Sequence, residues 1–371
     1  MTDSTKRRSV AMVLAPCWIV AACSAHEGHT HVPAANQPTL QVTTAAPDAV
    51  TGTGDLRFRY RADLSKLPDE IGKGIAKAHG GFAKTPTGEI YFGLEGTGLV
   101  RISADLRDKT LVTDAPRLAG GALHNTTYID ADGGRLVLPD PNGGRVHIVK
   151  LNGAEVATLG RPEVNDHYTA KNEKGAPKNA YKPTDTALGS DGVLYICDGY
   201  GSGKFVLTAD LTADLAAAAY GDRYFGGAVS GPGQQEGKFS TNHGVTLDPQ
   251  DDTLMIADRE RQWVQKLTQQ GEFVSGIDMV GANPCDVDLV DFNGERLMVV
   301  GCLVGGGGAP GVVNIVRGDK VASVLKPKED LGLELFQHIH NAAGVVVDGK
   351  LFVLCYGWNP GCYAVLEHVA Q

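Results

Sequence analysis

One short pattern recurs six times along this 371-residue chain and limits its fold more than any other feature. An apolar strand, usually ending in a small residue or an aspartate, appears as Ile90-Tyr91-Phe92-Gly93-Leu94, Leu136-Val137-Leu138-Pro139-Asp140 and Leu194-Tyr195-Ile196-Cys197-Asp198. It returns as Leu254-Met255-Ile256-Ala257-Asp258, Leu297-Met298-Val299-Val300-Gly301 and Leu351-Phe352-Val353-Leu354-Cys355. Each copy follows a turn such as Thr87-Gly88, Asp132-Gly133-Gly134, Asp191-Gly192, Asp251-Asp252, Asn293-Gly294 or Asp348-Gly349. Before each turn lies another β-rich run, for example Gly244-Val245-Thr246-Leu247 or Gly344-Val345-Val346-Val347. Two apolar runs joined by a Gly/Asp turn read as a hairpin.

The copies begin at residues 90, 136, 194, 254, 297 and 351. That spacing approximates the ~40–45 residues of a four-stranded propeller blade, with insertions in some blades. Six copies predict an all-β, six-bladed β-propeller. A TIM barrel or a Rossmann domain would need helices between the strands, and no segment carries a long helical period. After Cys355 the chain has room for one more strand, near Tyr363 to Leu366, so blade six lacks its outer strand. Leu56-Arg57-Phe58-Arg59-Tyr60 alternates apolar and charged residues and is expected to supply it, closing the ring and removing an exposed edge.

The N-terminus reads as an address. Lys6, Arg7 and Arg8 precede an apolar stretch from Val10 to Val20, shorter than the ~20 residues that span a bilayer. It ends in Val20-Ala21-Ala22-Cys23, which resembles a bacterial lipobox; an ordinary secretory signal is the alternative. The expected organisation is a signal peptide over 1–22, lipidation at Cys23, a flexible tether over 23–54 and the propeller over 55–371. That places the protein in a bacterial cell envelope, lipid-anchored outside the cytoplasm. The tether's Ala/Thr/Pro/Gln composition cannot bury enough surface to order itself. Its His26, Glu27, His29 and His31 could hold a soft metal loosely or be incidental. A net charge of −9 argues against nucleic acid as a partner.

Eleven residues before the repeated strand, at the entry of the innermost strand, stand His79, His243 and His340; His124 stands twelve before, with one extra turn residue. Blades three and five carry Thr184 and Cys285 there, in the parallel phrases Pro183-Thr184-Asp185 and Pro284-Cys285-Asp286. Equivalent positions of a six-bladed ring point at its axis, and alternate blades are 120° apart. His124, His243 and His340 are therefore expected to converge on one ion. Zinc suits three imidazoles with a fourth position open, and iron, manganese or nickel suit imidazole too. A ring of histidines bonded to water and backbone is the bland alternative.

Phe225-Gly226-Gly227, Ser230-Gly231-Pro232-Gly233-Gln234, Phe239 and His243-Gly244-Val245 resemble the NHL-repeat phrase. Lys182-Pro183-Thr184-Asp185, Cys197-Asp198-Gly199-Tyr200 and Ile256-Ala257-Asp258-Arg259-Glu260 resemble peptidylglycine α-hydroxyamidating lyase. The resemblance is fullest from Tyr181 to Val274. It implies an axial zinc on His124, His243 and His340, Tyr200 as base and Arg259 beside the substrate, with cleavage of a peptidyl α-hydroxyglycine to a peptide amide and glyoxylate. Two departures stand out. The family pairs its last zinc histidine with an aspartate that also helps bind calcium, and Asn341 stands here, which weakens a calcium claim. The family's first-blade arginine has no counterpart in Ile90-Tyr91-Phe92-Gly93-Leu94-Glu95.

The cysteines fit an oxidising compartment. Cys17 leaves with the signal. Cys355 with Cys362, and Cys285 with Cys302, are candidate disulfides, leaving Cys197 over; Cys197 or Cys285 as a fourth ligand is a lesser alternative. Two functional readings remain side by side. One is a metal-dependent lyase or hydrolase taking a small-molecule or peptide substrate at the channel mouth. The other is a non-catalytic NHL propeller that binds a peptide, glycan or protein, with a structural metal or none. A metal-storage or sensing role is suggested by the histidine-rich tether.

Overall fold

The computed structural model describes residues 48–112, 118–211 and 215–370. Residues 1–47, on which the expected signal segment, Cys23 and the histidines of the expected tether fall, lie outside the described residues. The remainder forms six antiparallel sheets, each spanning four consecutive blade positions, arranged as a propeller. Blade one comprises Ala83–Lys84, Ile90–Leu94, Gly98–Ile102 and Lys109–Val112. Blade two comprises Thr127–Ile129, Arg135–Asp140, Arg145–Lys150 and Glu155–Leu159. Blade three comprises Asp185–Leu188, Val193–Cys197, Phe205–Asp210 and Ala219–Gly226, and blade four Asn242–Asp248, Thr253–Asp258, Trp263–Thr268 and Phe273–Asp278. Blade five comprises Pro284–Phe292, Glu295–Cys302, Val312–Arg317 and Lys320–Leu325. The first strand of each blade is innermost, where it meets the first strands of its neighbours.

Ring closure follows the alternation of Leu56–Tyr60. Blade six takes Ile339–Val347, Lys350–Gly357 and Cys362–His368 from the C-terminus, and Leu56–Tyr60 becomes its fourth strand. The register pairs Phe58 with His368, Arg59 with Glu367 and Tyr60 with Leu366. Val50–Thr53, at the end of the segment read as tether, is also ordered: it pairs with Leu56–Tyr60 as a fifth strand and covers the new edge. The apolar face of the closing strand decides the arrangement. Leu56 and Phe58 are buried among Val299, Ile315, Val353 and Leu366, between blades five and six. Every other pair of neighbouring blades likewise shares an apolar cluster, so the core is a ring of wedges around a polar axis.

The predicted turns take the backbone that their residues favour. Asn293 and Gly294 (φ 51° and 79°), and Asp348 and Gly349 (φ 50° and 73°), both lie in the left-handed region. Two consecutive positive φ values match the twist of the flanking strands.

Both candidate disulfides are absent: Cys197, Cys285, Cys302, Cys355 and Cys362 are free thiols. Cys355 is opposite Ala364 and Cys362 opposite Gly357. The two cysteines are thus diagonal neighbours, ~7–8 Å apart by strand geometry and beyond the ~4.4–6.8 Å Cα separation a disulfide needs. Cys285 sits in a bulge between Pro284 and Asp286, whereas Cys302 packs with Met279 and Val312 in the blade four–five core. The bulge takes Cys285 out of the register that would have faced Cys302. Cys197 is buried in the blade three–four core and is not a fourth ligand.

Candidate metal centre

In blades two, three and four an aspartate at the end of the second strand sets the axial residue in place. Asp140 Oδ1 accepts the Ala122 N–H at 3.2 Å, Asp198 Oδ1 the Lys182 N–H at 2.7 Å, and Asp258 Oδ1 the Thr241 N–H at 3.0 Å. Each bond falls two residues before the axial position occupied by His124, Thr184 and His243. A buried carboxylate fixing that backbone repeats one geometry around the ring, as charge-assisted bonds to backbone N–H groups can.

His124, His243 and His340 are nearly fully buried, at 2%, 0% and 2% exposure, and their ligand atoms lie within 4.8 Å of one another. Ring centroids are 4.7 Å apart for His124 and His243, 4.8 Å for His243 and His340, and 5.2 Å for His124 and His340. Nδ1 of His124 donates to the Thr184 carbonyl at 2.6 Å, and Nδ1 of His243 to the Cys285 carbonyl at 2.6 Å. These bonds leave Nε2 of each as the bare electron-pair donor, the state a metal-binding imidazole requires. His340 keeps a buried Nδ1 with no hydrogen-bond partner. Burial, with the neighbouring imidazoles and Arg259, holds His243 and His340 well below the usual histidine range, so both are neutral near pH 7. Three buried imidazoles, two of them held neutral, and an orphaned buried nitrogen fit a transition-metal cation such as zinc.

Tyr200 and Arg259 lie where the sequence pairs them with this centre. Both occupy loops that follow second strands, at the same end of the ring as the histidines. The Tyr200 hydroxyl is 2.8 Å from His243 Nε2 and 3.4 Å from His124 Nε2. Arg259 donates to that hydroxyl through Nη1 at 3.1 Å, and its guanidinium sits 5.4 Å over the Tyr200 ring. Burial pushes the Tyr200 phenol up to about 12, and Arg259 works against that rise. Arg259 is itself held by Glu260 at 2.8 Å.

His79 is not a member of the metal group. It lies against the triad from blade one, its ring 4.7 Å from that of His340, with Nδ1 3.1 Å from the Lys77 carbonyl and 3.3 Å from Glu95. Trp358 stands 5.3 Å from His79, an aromatic wall that the sequence motifs did not single out. Its position after the second strand of blade six, equivalent to Arg259 in blade four, was the available signal. Glu95 occupies the same place in blade one, so an acid stands there.

No protein-family model matches the sequence, and no curated protein matches it. Solved structures with the same architecture include a gluconolactonase from Xanthomonas campestris, with 13% identity over 89% of this chain and 98% of that one and a TM-score of 0.54. A second, a putative gluconolactonase, has 14% identity over 88% of this chain and 95% of that one and a TM-score of 0.50. A streptogramin B lyase covers 85% and 88% at 13% identity and a TM-score of 0.44. At these identities the likeness is one of fold: the chain is a six-bladed β-propeller.

Proposed function

We propose that this propeller is a metal-dependent carbon–nitrogen lyase acting on an α-hydroxyglycine amide at the channel mouth. The observation that carries the reading is the convergence of three buried imidazoles, two of them in contact with the phenol of Tyr200, itself bonded to Arg259. A bound divalent cation would acidify the substrate hydroxyl and hold the adjacent carboxylate. A nearby cation and Arg259 would favour the charged form of Tyr200 against the burial that pushes its phenol up; in that form it takes the hydroxyl proton, while Arg259 stabilises the anion or pairs with the carboxylate. Loss of the proton forms the aldehyde carbonyl, the carbon–nitrogen bond breaks, and the amide nitrogen receives a proton. The products are a primary amide and glyoxylate, so atoms and charge balance.

The first test is metal analysis of the purified protein, followed by glyoxylate release from α-hydroxyhippurate, with a sugar lactone assayed in parallel. Glyoxylate formation that needs the metal supports the lyase. Lactone opening alone would make it a lactonase. The absence of a first-blade arginine favours a second reading, a binding propeller with a structural metal; metal without turnover of either substrate would select it.

The N-terminal pattern supports an exported lipoprotein tethered to a bacterial envelope membrane through Cys23. Replacing Cys23 with Ser should move the protein from membrane to soluble fractions; unchanged fractionation removes the anchor.

A further inference from the structure

The loop that carries Tyr200 cannot hold that residue in place by its own backbone. Gly199-Tyr200-Gly201-Ser202-Gly203 alternates glycine with other residues, and glycine has more conformational freedom to lose than any other residue. Yet the Tyr200 hydroxyl sits 2.8 Å from His243 Nε2. Much of what fixes the loop comes from outside it. The Tyr200 N–H donates to the Lys182 carbonyl at 3.2 Å, and the Ser202 N–H to the Ala180 carbonyl at 3.3 Å. Both acceptors belong to segment 160–184, the longest connection between successive blades.

That segment is a strap with internal order of its own. Arg161 donates to the carbonyls of Tyr168 and Asn179 at 3.0 and 2.8 Å, and the Asn179 amide donates to the His167 carbonyl at 2.8 Å. Asn165 caps a single turn, Asp166–Thr169, by accepting the N–H groups of His167 and Tyr168 at 3.0 and 3.3 Å. The turn delivers two side chains to the Tyr200 loop. His167 Nε2 lies 3.3 Å from Ser202 Oγ. Tyr168, 2% exposed, packs in the core between blades two and three and donates its hydroxyl to Asp198 Oδ2 at 2.8 Å. Asp198 Oδ1 accepts the Lys182 N–H at 2.7 Å, and Gly201 folds back so closely that a Cβ there would collide with the same carboxyl. One buried carboxylate thus ties together the capped turn, the end of the strap and the loop.

We infer that Tyr168 is a positioning residue for the candidate site: acting through Asp198, it fixes the loop that holds Tyr200 against the histidines. The inference rests on the reading of Tyr200 as the base, whereas the tie itself is independent of any reaction. Burial pushes the Asp198 carboxyl up to about 7, and the bonds from Lys182 and Tyr168 oppose that rise, as do the nearby cations Lys204 and Arg161. Tyr181 and Tyr220 are the other titratable groups that face it. Without the Tyr168 hydroxyl the carboxyl rises further, so protonation, which turns an acceptor oxygen into a donor, sets in at higher pH.

The test compares Tyr168→Phe with Tyr181→Phe in the full folded protein. Tyr181 is the matched control: it is 4% exposed in the same core, but its hydroxyl bonds to that of Tyr220 at 2.6 Å. Amide exchange of residues 199–203, read by mass spectrometry, needs no substrate. Tyr168→Phe should accelerate it roughly 10–10²-fold, the change expected on losing a hydrogen bond to a charged group, and Tyr181→Phe should leave it unchanged. Where glyoxylate is released, kcat of Tyr168→Phe should fall by up to about 10²-fold with KM and metal content retained, and the acid limb of the rate profile should move to higher pH. Faster exchange in a protein that releases no glyoxylate would uphold the strap and remove the lyase reading alone. Unchanged exchange in Tyr168→Phe, equal loosening in both variants, or an acid limb that stays in place would overturn the proposal and reduce Tyr168 to core packing.

Discussion

Nδ1 of His243 lies 2.6 Å from the carbonyl oxygen of Cys285, so a histidine of blade four is oriented by the backbone of blade five. His124 repeats the arrangement with Thr184 of blade three. Each of these ligands is thus aimed by the next blade, and the site exists only once the ring is assembled. Replacing His124, His243 or His340 with Ala should cut bound transition metal and activity together, while far-ultraviolet circular dichroism stays that of the propeller. A variant with full metal content would remove that histidine from the ligand set.

Tyr200→Phe should behave differently. It removes the phenolic oxygen that His243 and Arg259 contact, but not an imidazole. Metal content should be retained, and kcat should fall about 10²–10⁴-fold, the usual loss when a general base is removed. Simultaneous loss of metal would show that Tyr200 acts by holding the ion.

Asp258 offers a test of the clamp behind His243. Its Oδ1 accepts the N–H groups of Ser240 and Thr241 at 2.9 and 3.0 Å, and Oδ2 accepts from Trp263. Asp258→Ala leaves buried donors unmade, at about 1–3 kcal/mol each. Chemical denaturation should show the destabilisation, and metal titration should show weaker binding. Unchanged metal affinity in the variant would mean that the clamp stabilises the blade without positioning the ligand.

The closing strand should loosen in acid. Glu367 is nearly buried and receives Arg59 at 2.6 Å, Arg61 at 3.1 Å and Lys350 at 3.1 Å. Burial raises its carboxyl, but these cations outweigh it and hold the group below the usual carboxylate range. A depressed folded value contributes stability above the unfolded value of ~4.3, and that stability is lost as pH falls through the folded value. Amide exchange across Leu56–Tyr60 should therefore accelerate below about pH 4, and Glu367→Gln should remove that dependence. Equal pH sensitivity in the variant would assign the loosening elsewhere.

Removing the closing strand outright should expose the last C-terminal strand of blade six. Phe58 is fully buried between blades, and truncation to Ala is expected to cost about 3–5 kcal/mol. Deleting residues 48–60 should expose the edge and promote aggregation, visible by light scattering. A soluble, monomeric deletion would show that closure by Leu56–Tyr60 is dispensable.

Much of the architecture is legible in the sequence because it is local and repeated. Turn residues such as Asn293-Gly294 fix hairpins through their own backbone preferences, and the recurrence of one apolar strand counts the blades. The alternation of Leu56–Tyr60 marks a strand in need of a partner, and a ring supplies one. The histidine triad is legible for the same reason, since equivalent positions of a closed ring face a common axis. What tertiary structure alone decides is contact between blades. The bulge at Cys285 and the diagonal offset of Cys355 from Cys362 depend on register, which two-residue periodicity does not specify for a single pair. The meeting of His79 with Trp358 joins blade one to blade six, a contact that no single repeat specifies. Their proximity comes from ring curvature, a property of all six blades packed together.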